Sequence, residues 1–162
     1  AVLEKCSEFF YIDEKEGTDT MEDDLKKLYD EGKKAFGFYC GKGEWFLLTL
    51  KNIDIMSQML PDVSKASQSL DVSVLHTLIL EKIFGIDKEN MAKQINLTYT
   101  KFFTEAIDGV DKGEFQCSFV LNPTRVTEIR DVAAAGEKMP QKSTYFYPKM
   151  ITGMVMNNLG VD

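Results

Sequence analysis

Residues 35–50 have the sequence A-F-G-F-Y-C-G-K-G-E-W-F-L-L-T-L, in which two apolar segments flank a glycine-rich turn. Aromatic and aliphatic segments on either side of a short glycine turn are typical of a β-hairpin. The sequence therefore predicts strands over 35–40 and 45–50, joined at residues 41–43. This hairpin predicts the antiparallel sheet on which the rest of the chain is expected to pack.

The remaining sequence predicts helices around that sheet and further strands within it. Helices are predicted over 21–31, after the capping-box spacing at Thr20, over 56–60, and after caps at Asp71, Thr100 and Thr124. The helix after Asp71 has apolar residues at helical spacing, which predicts an inward face of Val72, Leu75, Leu78, Ile79 and Ile83. Further strands are predicted over 9–12, 95–99, 115–121, 144–147 and 150–156, and residues 62–69 are predicted to form a polar loop. We expect an α+β (mixed α/β) fold in one domain over 1–162, with helices packed against a mixed, largely antiparallel sheet.

Composition excludes several classes of function. The 162 residues carry a net charge of -7, which argues against a nucleic-acid-binding protein. No apolar run reaches the length of a membrane span, and the N-terminus does not resemble a signal peptide. The three cysteines are widely spaced, so we expect reduced thiols in a cytoplasmic protein. The absence of an initiator Met predicts a fragment of a longer chain.

The stretch 136–149, G-E-K-M-P-Q-K-S-T-Y-F-Y-P-K, combines ammonium groups, hydroxyls and aromatic rings without a helical period. It lacks the glycine at position 141 and the strand–loop–helix context of a P-loop. Hydroxyls and ammonium groups along an extended segment, beside the start of a helix, can still bind an anion. The predicted anion-binding residues are Lys142, Ser143, Thr144, Tyr145, Tyr147, Lys149, Thr124 and Arg125. The alternative is structural, with packed tyrosines and solvated lysines.

Three segments near the C-terminus carry a resemblance to a known family. They are F-V-L-N-P-T at 119–124, A-A-G-E-K-M-P-Q-K-S-T-Y-F-Y-P-K at 134–149, and T-G at 152–153, with weaker similarity at 70–76 and 96–99. Together they resemble the end of the uncharacterised prokaryotic family catalogued as domain of unknown function 1015. Members of that family are more than twice as long as this chain. Their upstream half carries an Asp-Gly-His-His-Arg signature, which resembles that of the free-serine kinase and sulfiredoxin-like superfamily. This signature is absent from the present sequence. The resemblance implies an upstream domain as partner, and a nucleotide as the expected cofactor of small-molecule phosphotransfer. The acid–base chemistry is then expected from the upstream half, so this chain alone is expected to be inactive.

Other features leave alternatives open. The methionines at 150, 154 and 156 alternate at strand spacing, which favours either a core strand or an apolar surface of a non-catalytic scaffold or homodimer. His76 shares a predicted helix face with apolar residues and is either a general base or a hydrogen-bonded residue at the core boundary. The acidic run over 13–24 is interpreted as a solvated loop and helix start, and the sequence predicts no metal site.

Overall fold

The computed structural model describes residues 2–140 and 143–144, which form a four-stranded antiparallel sheet with helices on both faces. The strands are β1 (Phe10–Glu16), β2 (Ala35–Tyr39), β3 (Glu44–Leu50) and β4 (Ser118–Leu121). Their order across the sheet is β1-β3-β2-β4, and every neighbouring pair is antiparallel. The α+β class is therefore confirmed.

The helices of the described part vary widely in length. They are α1 (Val2–Cys6), α2 (Met21–Asp30), α3 (Ile55–Met59), α4 (Lys65–Gln68), α5 (Asp71–Val74), α6 (Lys88–Lys93), α7 (Phe103–Asp111) and α8 (Val126–Ala134), with a short 3₁₀ turn at Thr18–Thr20. Helix α5 continues without a break into a π-helical segment, Leu75–Ile83, at whose end the N–H of Phe84 donates to the carbonyl of Ile79.

The hairpin predicted at residues 35–50 is confirmed. Strands β2 and β3 pair with Ala35 opposite Thr49 and Tyr39 opposite Trp45. The turn between them needs left-handed backbone at Gly41, Lys42 and Gly43, whose φ angles are 101°, 60° and 77°. Glycine adopts these angles without steric cost, which is why the turn contains two of them.

One face of the sheet carries the larger core. Phe36 and Phe38 of β2 lie there with Phe10 and Leu48, and they pack against α1, α3, α6 and the helix over 71–83. The apolar side chains predicted to face inward on that helix are all buried, namely Val72, Leu75, Leu78, Ile79 and Ile83. Thr77 and Leu80 are buried as well, so the π-helical segment is enclosed on more sides than an amphipathic α-helix would be.

The opposite face of the sheet packs against α2 and α7. Tyr39, Trp45 and Leu47 lie on this face with Met21 and Leu25 of α2. The alternation of side chains along β2 and β3 therefore places a core on each side of the sheet. A third, smaller cluster joins α8 to the start of α5 through Leu70, Val72 and Val132.

Several boundary predictions differ from the structure. The strand predicted over 95–99 is wrong, because these residues form no strand and Ile95 is 64% exposed. The strand predicted over 115–121 begins only at Ser118, and the loop predicted over 62–69 contains α4. Every strand pair in the sheet of the described part is antiparallel, which agrees with the expected largely antiparallel sheet. The strands predicted over 144–147 and 150–156 lie almost wholly outside the described residues.

Candidate functional site

The start of α8 lies against the hydroxyl-rich stretch, as the anion-site hypothesis requires of these two segments. The Thr124 hydroxyl donates to the carbonyl oxygen of Ser143 at 2.9 Å. Thr124 is therefore not the helix cap that the sequence predicted. Arg125 occupies the N-cap position, and its backbone N–H donates to the Glu128 carboxylate at 3.0 Å.

Arg125 is held in place by two neighbours on α2. Its guanidinium carbon lies 4.1 Å from the centre of the Tyr29 ring, a stacking distance. The same guanidinium donates a hydrogen bond to the Asp30 carboxylate, which lowers the pKa of Asp30. A guanidinium has five N–H donors in a fixed plane, and the Arg125 side chain is 49% exposed. It can therefore bind a further oxyanion without losing its orientation.

A buried cluster of ionisable side chains lies next to Arg125. The Lys34 ammonium is 2.9 Å from Asp71 Oδ1 and 3.5 Å from Glu128 Oε1. The Asp71 side chain is only 7% exposed, and its second oxygen, Oδ2, has no hydrogen-bond partner in the described residues. Burial raises the pKa of Asp71, and the neighbouring Lys34 ammonium only partly opposes that rise. We call Tyr29, Asp30, Lys34, Asp71, Arg125 and Glu128 the junction site, because they join α2, α5 and α8.

Tyr29 connects the two parts of the junction site. Its hydroxyl donates to the Glu128 carboxylate, and its ring lies under both the Lys34 ammonium and the Arg125 guanidinium. Burial, followed by the Glu128 carboxylate, raises the pKa of Tyr29. Perturbed ionisable groups that cluster around cations are a common feature of binding and catalytic sites. Chemically, the junction site can orient an anion through Arg125 and hold or release a proton at Asp71.

Of the junction site, sequence analysis named only Arg125 as a candidate and missed the other five residues. Asp71 was predicted as a helix cap, whereas the N-cap is Leu70 and Asp71 is the first helical residue. The sequence signal for this part of the site was Asp71 between two apolar residues, Leu70 and Val72. An acidic side chain in such a segment indicates a buried carboxylate with a partner, because a carboxylate is rarely buried without one. Its partner Lys34 lies in another segment, and only the fold brings them together.

The first part of the stretch 136–149 has a structural role. The Glu137 carboxylate accepts hydrogen bonds from the N–H of Ser64 at 2.6 Å, from the Ser64 hydroxyl at 2.7 Å and from the Ser67 hydroxyl. These bonds lower the pKa of Glu137 and hold the end of α8 against α4. Met139 packs on the cluster of Leu70 and Val132. The structural interpretation therefore holds for this part of the stretch.

The other predicted site residues are placed as follows. Ser143 and Thr144 are half-buried, and the Ser143 hydroxyl donates to the Pro140 carbonyl at 2.5 Å. Arg130, also cationic, is exposed and pairs with the adjacent Asp131, so it does not join the junction site. The remaining candidates lie outside the described residues: Lys142, Tyr145, Tyr147 and Lys149.

His76 and the acidic run add little to the site. His76 is half-buried with its ring edge facing Tyr99, the ring centres 6.4 Å apart. Burial lowers its pKa, which favours the neutral imidazole, and Nε2 has no hydrogen-bond partner in the described part. Within residues 2–140 and 143–144, no group of His, Cys, Asp and Glu side chains is arranged to hold a metal ion.

Comparison with known proteins identifies no relative of this chain. No family model, curated protein or solved structure matches the chain. A membrane-crossing helix would need a long apolar run, and none of the helices described here has one.

Proposed function

We propose that this chain contributes a phosphate- or nucleotide-binding surface, centred on Arg125 of the junction site and on the hydroxyl-rich stretch beside it. The hydrogen bond from Thr124 to the Ser143 carbonyl, at 2.9 Å, carries the proposal. It brings the segment before α8 into contact with the stretch 136–149, and these are the two segments that sequence analysis assigned to one site.

Arg125 is the principal anion contact in this proposal. The Tyr29 ring and the Asp30 carboxylate fix its guanidinium before a ligand arrives, so binding loses little side-chain entropy. Guanidinium–phosphate contacts are frequently bidentate, which gives both affinity and direction. In the proposal Thr144 supplies a hydroxyl donor, and Lys142 and Lys149 supply charge. The Ser143 hydroxyl keeps its hydrogen bond to the Pro140 carbonyl.

The carboxylates of the junction site set the conditions for binding. Asp30, Asp71 and Glu128 oppose an incoming anion, while Lys34 and Arg125 attract it. Because burial raises its pKa, Asp71 takes up a proton more easily than an exposed aspartate does. An anion bound nearby favours the protonated form, so anion binding is coupled to proton uptake. Affinity is therefore expected to increase as the pH falls.

The resemblance to the uncharacterised family extends the proposal to the parent protein. There the surface would stabilise charge on a transferred phosphoryl group, and an upstream domain would supply the acid–base chemistry. A nucleotide is the cofactor that this reaction requires.

Calorimetric titration tests the binding claim. Inorganic phosphate and adenosine triphosphate are titrated into the chain and into the full-length parent, each as wild type and as Arg125→Gln and Lys142→Ala. Removal of Arg125 should weaken binding by roughly 10- to 100-fold, because a hydrogen bond to a charged group contributes about 1.5–3 kcal/mol. Arg130→Gln is the matched control, since Arg130 is on the same helix but outside the junction site. Equal affinities of all variants would remove the claim.

Proton coupling has a separate readout. Sulfate keeps a constant charge between about pH 6 and about pH 8, whereas phosphate titrates, so sulfate affinity isolates the contribution of the protein. We expect tighter sulfate binding at the lower pH in the wild type and a smaller pH effect in Asp71→Asn.

The second candidate is a non-catalytic scaffold or dimerisation module. It is favoured by β4, an edge strand of sequence S-F-V-L without charge, which has no outer partner among the described residues. Uncharged edge strands readily pair with another chain. Light scattering on the chain with and without the residues after Lys149 tests this candidate, and a monomer in both cases counts against it.

A further inference from the structure

Two of the three cysteines occupy facing positions at one end of the sheet. Strands β2 and β4 are in register with Tyr39 opposite Ser118. When this register is extended by one residue past the ends of β2 and β4, Cys40 comes opposite Cys117. The third cysteine, Cys6, is fully buried in α1.

The hydrogen-bond pattern shows which kind of cross-strand pair this is. The N–H of Leu50 donates to the Lys34 carbonyl at 2.8 Å, so the backbone polar groups of Lys34 point toward β3. Alternate residues along β2 share that direction, and the same alternation continued one residue past Tyr39 gives it to Cys40. Cys40 and Cys117 are therefore opposite each other as a non-hydrogen-bonded pair, for which the Cα atoms are about 4.5 Å apart. That separation lies within the range that a disulfide spans, roughly 4.4–6.8 Å.

The preceding pair on the same face shows how closely these side chains approach. Phe38 lies opposite Phe119, and their rings are stacked with centres 4.8 Å apart and planes at 14°. Side chains alternate along a strand, so both thiols lie on the face that carries these rings. The register is continuous from Phe36 to Tyr39, so no bulge interrupts the pairing up to the residues adjacent to the two cysteines.

The surroundings of the two thiols allow a small reagent to enter. Cys40 and Cys117 line one cavity of about 350 Å³, together with Val2, Leu3, Phe38, Phe84 and Gln116. Cys40 is exposed and Cys117 is partly buried. The more accessible thiol can therefore react first, and the less accessible one is held beside it.

We propose that Cys40 and Cys117 form a reversible cross-strand disulfide by exchange with a low-molecular-weight disulfide. The Cys40 thiolate attacks one sulfur of that reagent, forms a mixed disulfide and releases one thiolate, which takes up a proton. The Cys117 thiolate then attacks the Cys40 sulfur of the mixed disulfide and releases the second thiol. In total the two protein thiols are oxidised, the reagent is reduced to two thiols, and the two protons pass to the leaving groups.

The reaction is expected to be slow at neutral pH. Burial raises the pKa of Cys40, and it raises that of Cys117 to about 11 with a further contribution from Cys40. Only the thiolate attacks a disulfide, so the rate should rise with pH. The pair is accordingly a site of oxidation under sustained exposure to disulfide rather than a fast peroxide sensor.

Mass spectrometry of the whole chain tests the proposal. The reduced protein is incubated with oxidised glutathione, alkylated and digested without reduction. We expect a Cys40–Cys117 linked peptide to form at least tenfold faster than any linkage to Cys6, with the far-UV spectrum unchanged. In urea, where the register is lost, all three cysteine pairings should appear. Cys6→Ser should behave as wild type, whereas Cys117→Ser should stop at a glutathione adduct on Cys40.

Two results would overturn the proposal. One is a stable glutathione adduct on Cys40 of the wild type without a linked peptide. The other is equal formation of the linkage in native buffer and in urea, since the sheet would then contribute nothing. Both readouts use the wild-type chain, so neither depends on a variant that fails to fold.

Discussion

Replacing Lys34 by Met is expected to be strongly destabilising, because it leaves a buried carboxylate without its cation. The Lys34 ammonium lies 2.9 Å from Asp71 and 3.5 Å from Glu128, and the Lys34 and Asp71 side chains are 15% and 7% exposed. Removal of one partner of a buried ion pair costs about 3–5 kcal/mol. Lys34 retains some contact with solvent, so we expect the lower end of that range.

The pH dependence distinguishes this mechanism from a loss of packing. Burial raises the folded-state pKa of Asp71. The stability contributed by the protonated Asp71 carboxyl is therefore full below the unfolded-state pKa, and it is lost as the pH rises through the folded-state pKa. Loss of the Lys34 ammonium should raise the folded-state pKa further. The difference in unfolding free energy between wild type and variant should therefore shrink from about pH 7 to about pH 4.

Urea unfolding at both pH values measures these differences, with Asp71→Asn and the double variant completing the cycle. A loss of about 3 kcal/mol corresponds to a melting temperature lower by roughly 6–12 °C in a domain of this size. The double variant should be more stable than Lys34→Met, since the buried side chain at position 71 no longer carries a charge. Lys33→Met is the control, because Lys33 is 54% exposed and pairs with the exposed Glu31. If Lys34→Met and Lys33→Met lowered the free energy of unfolding by the same amount, the argument from burial would be refuted.

Three further predictions concern α7, the contact between α4 and α8, and the cysteine pair. Gly109→Ala should destabilise by roughly 1 kcal/mol despite its better helix propensity, because the new Cβ would lie 2.7 Å from the Phe115 ring. In a Phe115→Ala background the same change should stabilise by up to about 1 kcal/mol in urea unfolding. The Ser64 amide donates to the Glu137 carboxylate, so hydrogen exchange should show this amide protected above the ordinary Glu137 pKa of 4.5. The protection should be lost as the pH falls through the lowered pKa of Glu137. Glu137→Gln should remove this pH dependence, whereas Glu89→Gln should leave it unchanged. The Cys40–Cys117 disulfide would close a loop of roughly 80 residues and should stabilise the chain by up to about 4 kcal/mol; an unchanged melting temperature on reduction would contradict this.

Local patterns were sufficient for the elements whose signals lie within a few residues. The hairpin around Gly41 and Gly43 was predicted because only a few residue types adopt its left-handed backbone. The buried face of the helix after Asp71 was predicted from apolar spacing. The strand predicted over 95–99 was wrong because a short apolar run does not reveal whether a neighbouring strand is available to pair with it.

The candidate site was only partly accessible from sequence. Thr124 and Arg125 were predicted as candidates from their position before a helix, and the Thr124 hydroxyl donates to the Ser143 carbonyl. Lys34, Asp71 and Tyr29 were missed, because each looks ordinary in its own segment. What makes them unusual is the burial of Asp71 and its separation of 2.9 Å from Lys34, and neither quantity has a local signature.

By itself, the sequence determined the α+β class, the hairpin, the inward face of the helix after Asp71 and the hydroxyl- and lysine-rich composition of the stretch 136–149. Only the tertiary structure decided that Asp71 is buried beside Lys34 and that Cys40 faces Cys117. The physical reason is that backbone propensity and side-chain periodicity act over a few neighbouring residues. Desolvation, ion pairing and strand register instead depend on segments that are distant in sequence and are brought together by packing.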